Sequence, residues 1–227
     1  MVSLNKKKEV LNDWCEAFPC LSKYSPSTLF MTLDIALIGL SLERLPRCEE
    51  YRPLLICYPL WRENNKKNLD EPIFMREISD RRNFQLDILY ETHQCMFTEA
   101  VKCTQKQVGK VLKESISVKS IIELLKLQFA DLLVKSSPVI QARLLEYEFS
   151  IALFFNDPKL IQEVKHKIET VSKSWEPHLF EWKYGKIEDW TTSLFNNIQN
   201  RDIFIAKINE NLLDKKISKL KIGHMYI

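Results

Sequence analysis

Apolar residues recur every three to four positions along much of this chain, most regularly from residue 118 onward. That is the helical period. It predicts helices near 4–17, 26–44, 72–81, 92–113, 118–135, 138–156, 158–173, 178–199 and 202–221. Several starts share one device, a capping residue followed by proline at the first helical position, where proline forfeits no hydrogen bond. Ser25-Pro26, Ser137-Pro138 and Asp157-Pro158 fit it, and Glu71-Pro72 and Glu176-Pro177 fit it loosely. Ser120 with Glu123 has the spacing of a capping box. The segment 138–156 is apolar on two sides, as a central helix would be. In contrast, 158–173 has the single stripe of an outer helix: Leu160, Ile161, Val164, Ile168 and Val171.

Two stretches resist the helical reading. Residues 52–61 carry Pro53 and Pro59, which a helix interior does not tolerate. Phe84, Leu86, Ile88 and Tyr90 alternate with Gln85, Asp87, Leu89 and Glu91, a strand period that a continuing helix could also absorb. The expected fold is therefore mainly α: an antiparallel multi-helix domain spanning 1–227, with a minor two-stranded β element near 53–61 and 84–90. The polar run 62–70 between them reads as an exposed loop, and a subdivision near 62–71 is the one internal boundary suggested.

Glycine changes the picture most. Only Gly39, Gly109, Gly185 and Gly223 occur, none within ten residues of another. Phosphate cradles need clustered glycines, because only a backbone without Cβ approaches a phosphate closely. There is accordingly no P-loop, no dinucleotide fingerprint and no G-x-S-x-G elbow. Charge is balanced, with 33 basic and 30 acidic residues for a net +3. A broad basic field for nucleic acid is not implied. The basic start at Lys6–Lys8 is followed by no apolar run of signal-peptide length. The most apolar window, 29–40, contains Asp34 and is too short to span a bilayer. Six cysteines without a secretory signal read as reduced thiols, and the expected compartment is the cytoplasm.

Candidate chemistry is sparse. Glu146 and Glu148 are two apart, so on a helix they diverge and cannot share a proton or a metal. Glu163-Val164-Lys165 and Glu181-Trp182-Lys183 match the E-x-K of metal-dependent nucleases, with Asp157 upstream. On helices, however, those side chains diverge, and Asp157 is better explained as a cap. Cys15, Cys20, His93 and Cys95 lack the spacing of a metal site, and no cofactor is expected. Lys215, Lys216, Lys219 and Lys221 form a basic face on the expected C-terminal helix.

The most suggestive segment is 175–190, with three of the five tryptophans and four acids. On one continuous helix, Phe180, Tyr184, Ile187, Leu194 and Ile198 form the core stripe. Trp182 then falls on the polar side with Glu181, Lys186 and Asp189, as an anchor for a protein partner would. The competing reading is that Gly185 breaks the helix and Trp182 turns into the core. The function expected by elimination is a non-enzymatic cytosolic protein-binding module, such as an immunity protein neutralising a toxin, with no membrane span. The alternatives are a metal-dependent nuclease or other hydrolase with a scattered site, and a nucleic-acid binder using the C-terminal helix.

Overall fold

The computed structural model describes residues 2–46, 48–62, 69 and 71–227. Helix α1 (Leu4–Ala17) leads into strands β1 (Ser22–Ser25), β2 (Thr28–Leu33), β3 (Ala36–Arg44), β4 (Glu50–Pro59), β5 (Phe74–Glu77) and β6 (Ile88–Leu89). Then come α2 (His93–Val108), β7 (Ser115–Ser117), α3 (Val118–Phe129), α4 (Leu132–Lys135), α5 (Pro138–Phe155) and α6 (Pro158–Ser172). The chain ends with α7 (Pro177–Tyr184), α8 (Ile187–Asn196), α9 (Arg201–Leu212) and β8 (Lys221–Tyr226). Helix accounts for 53% and strand for 21% of the protein. The expectation of a mainly α domain with a two-stranded accessory is overturned, because a curled, half-barrel sheet of eight strands makes this an α/β fold.

The sheet order is β5-β4-β3-β2-β8-β7, with β1 sharing one edge of β2 and β6 one edge of β4. Strands β2, β3 and β4 form an antiparallel meander, with Phe30 opposite Gly39 and Gly39 in turn opposite Ile56. The C-terminal β8 adds in parallel between β2 and β7. Asp34 makes this docking specific. It sits in the hairpin turn at φ 45°, a conformation aspartate tolerates. Its carboxylate accepts from the Met225 N–H at 2.6 Å and the His224 Nδ1–H at 2.9 Å.

The missed hairpin has a physical cause. Strands β2 and β3 are buried on both faces, so their apolar residues run on without the alternation of a half-exposed strand. The Ser25-Pro26 signal is a turn rather than a helix cap. The Ser25 hydroxyl accepts from Ser27 N–H and donates to Thr28 Oγ1, at 3.3 and 2.9 Å. The expected helix 72–81 is replaced by β5. Of the expected ribbon, 53–61 lies largely in β4, whereas 84–90 contributes only Ile88 and Leu89, paired with Tyr51 and Glu50. Most of the 62–71 boundary lies outside the described residues.

The helices start where their caps dictate. Ser137 and Asp157 accept from backbone N–H groups of α5 and α6. The cap of α3 is Ser117, not Ser120. Helix α5 is buried nearly all round and α6 along Ile161, Val164 and Ile168. Arg201 closes the end of α5 by donating to the Leu153 and Phe154 carbonyls, both at 2.7 Å.

Along β4, Tyr51 and Cys57 face the helices, meeting α1, α2 and α5. Leu54, Ile56 and Tyr58 face the other way and line a hollow of about 460 Å³ with Ser41 and Met75. The buried residues form one continuous core reaching from Val10 to Met225.

Candidate functional site

Helix α7 is short because of its ends. Pro177 opens it, and Gly185 closes it at φ 74°, ψ −162°, a region that only glycine enters without strain. Positions four apart share a helix face, so Phe180 and Tyr184 turn inward together and stack at 5.1 Å. Trp175 lies 4.9 Å from Phe180, and Trp190 of α8 lies 5.4 Å from it. Both indoles are tied to the central helix α5. Trp175 Nε1–H donates to Gln141 and Trp190 Nε1–H to Glu146, each at 2.8 Å.

Charge completes the attachment. Glu146 also accepts from Arg62 at 3.3 Å. Arg62 reaches Glu71 at 3.4 Å, and Arg143 lies 4.0 Å from the same carboxylate. Lys183 of α7 pairs with Glu71 as well. The Lys183 hydrogen bond, aided by Arg143 and Arg62, holds the Glu71 carboxyl below the usual carboxylate range. Burial, reinforced by the Glu146 charge, pushes the Tyr184 hydroxyl up to about 12. This cluster fastens α7 from beneath.

The opposite side of α7 carries Trp182, which is 74% exposed. Its Nε1–H is already committed to the Leu179 carbonyl at 3.0 Å, leaving the apolar ring faces for contact. Leu179, three residues earlier and so on the same side, is 39% exposed. Leu179 was absent from the sequence reading, although its i, i+3 spacing from Trp182 is a visible signal. The anchoring residues Arg62, Glu71 and Glu146 come from distant segments and left none. Glu181, Lys186 and Asp189 are exposed and make no ion pair among the described residues. The expected continuous helix 178–199 is broken at Gly185, as the competing reading required. Trp182 nevertheless stays outside, because Phe180 and Tyr184 already occupy the inward face.

Other sequence candidates are separated by the fold. Glu146 binds Trp190 and Arg62, whereas Glu148 pairs with Lys167. Glu163 lies 4.0 Å from Lys159, and Lys165 covers the Phe195 ring. Asp157 caps α6. The C-terminal lysines share no helix: α9 ends at Leu212, Lys216 covers Tyr24, and Lys221 of β8 donates to the Pro19 carbonyl. The basic C-terminal helix is thus replaced by a turn and a strand. Cys20, Cys57 and Cys103 are buried and Cys95 is exposed. Among the described residues no three potential ligands converge on a metal position, and no helix is long and apolar enough to cross a membrane.

One buried chain has catalytic residue types. Trp14 Nε1–H donates to Tyr51 Oη at 3.1 Å, Tyr51 O–H to His93 Nδ1 at 2.7 Å, and His93 Nε2–H to Asp13 at 2.9 Å. The Asp13 carboxylate can only accept, which puts the proton of the neutral imidazole on Nε2 and leaves Nδ1 to accept from Tyr51, while Trp14 can only donate. Tyr51 and His93 are fully buried, and neither lines the hollows of about 580, 460 and 190 Å³. The chain reads as a clamp joining α1, β4 and α2. Comparison with protein-family models, curated proteins and solved structures finds no match, so the toxin neutralisation expected from the sequence has no support.

Proposed function

We propose that this chain is a non-enzymatic protein-binding module whose contact surface is the outward side of α7, centred on Trp182. The observation that carries the reading is a 74% exposed tryptophan on a helix whose opposite face is fastened by four packed rings and an ion-pair cluster. A large ring held still loses little conformational freedom on binding, which is why tryptophan dominates interface hot spots. Leu179 supplies adjoining apolar area.

The test is affinity capture from the native host with the wild-type chain and with Trp182→Ala, followed by affinity measurement on the purified partner. The expected result is one protein whose binding weakens about thirtyfold or more in the variant. Equal binding by both chains would overturn the reading.

A further inference from the structure

The side chains around Trp182 specify a partner chemistry, an inference that rests on the Trp182 surface proposed above. From Glu176 to Asp189 the chain carries four carboxylates: Glu176, Glu181, Glu188 and Asp189. All four are exposed. Against them stand two lysines, of which Lys183 is consumed by Glu71 on the inner side. That leaves Lys186, and His178, which lies 3.7 Å from Glu176. Glu181, Glu188 and Asp189 make no ion pair among the described residues. The helix dipoles change this little, since both ends of α7 lie within the stretch and cancel, and the N-terminal half-charge of α8 offsets only about half of one carboxylate. The protein as a whole is net +3, so this stretch, with four carboxylates to two lysines, is opposite in sign to the molecule.

An exposed indole adds to the same preference. Its ring face is the negative end of a quadrupole and attracts a guanidinium or ammonium. With its N–H spent on Leu179, the Trp182 ring has no donor left to offer an acidic partner. We propose that the partner presents a basic segment, with an arginine or lysine lying over the Trp182 ring and neighbouring cations facing Glu181, Glu188 and Asp189.

The test pans a phage-displayed library of random linear peptides on the wild-type chain, with counter-selection on Trp182→Ala. Peptides that need Trp182 are then titrated at about 0.15 M and about 1 M salt, where the Debye length falls from roughly 8 to 3 Å. The inference expects them to be rich in arginine or lysine. It also expects roughly tenfold weaker binding at high salt and to Glu181→Lys. Neutral or acidic peptides that still need Trp182 would overturn the charge assignment while leaving the surface standing. Absence of any Trp182-dependent peptide would overturn both.

Discussion

Gly39 is a position where the fold accepts no side chain. A Cβ there would lie 1.9 Å from the Leu29 carbonyl oxygen and 2.9 Å from the Phe30 Cα, both backbone atoms of the paired strand. Gly39→Ala must therefore push β2 and β3 apart, and we expect a loss of about 1–3 kcal/mol or more, read as a lower urea midpoint. An unchanged midpoint would mean that the two backbones are not held this closely. Two tryptophans of the 175–190 segment make a sharper contrast. Trp190 is buried, packed edge-on against Phe180 and bonded to Glu146, so Trp190→Ala should cost about 3–5 kcal/mol of stability. Trp182→Ala should change stability by no more than about 0.5 kcal/mol. Similar losses from both would place Trp182 in the core.

At the scale of elements, the attachment of α7 has a pH signature. The Glu71 carboxyl lies below its ordinary value of 4.5 in the folded chain. Its contribution is therefore present above that value and lost as pH falls through the lower, folded one. Glu71→Gln should be less stable than wild type at neutral pH, and the two stability curves should converge in acid. A difference that stays constant on acidification would show that the Lys183–Glu71 pair carries none of it.

Helices were legible wherever one stripe or a true cap wrote them: α1, α5 and α6 lie almost where the apolar period put them. The sheet was not legible, because strands covered on both faces lose the period of two that betrays a strand. Leu29–Leu33, but for Thr32, and Ala36–Leu40 are as apolar as a buried helix. The serine-proline pair at 25–26 misled for a related reason, since a turn and a helix start use the same first two residues. The outward side of Trp182 followed from its wheel position opposite Phe180, and the break at Gly185 did not change it. What lies beneath could not be read, because Arg62, Glu71 and Glu146 meet only in three dimensions.

The whole molecule is one core wrapped on a curled sheet, with α7 and α8 fastened to it by rings and charges on one side and open on the other. Its sequence contains no clustered-glycine phosphate cradle. The central claim is that the open side of α7 is where this protein meets its partner. Amide hydrogen exchange on the chain, alone and saturated with the partner recovered by affinity capture, tests this most directly. The account predicts that protection on binding concentrates in peptides covering 176–189, while the β2–β4 meander exchanges as before. Protection on the sheet or at the ends of α1 and α2, with 176–189 unchanged, would contradict it.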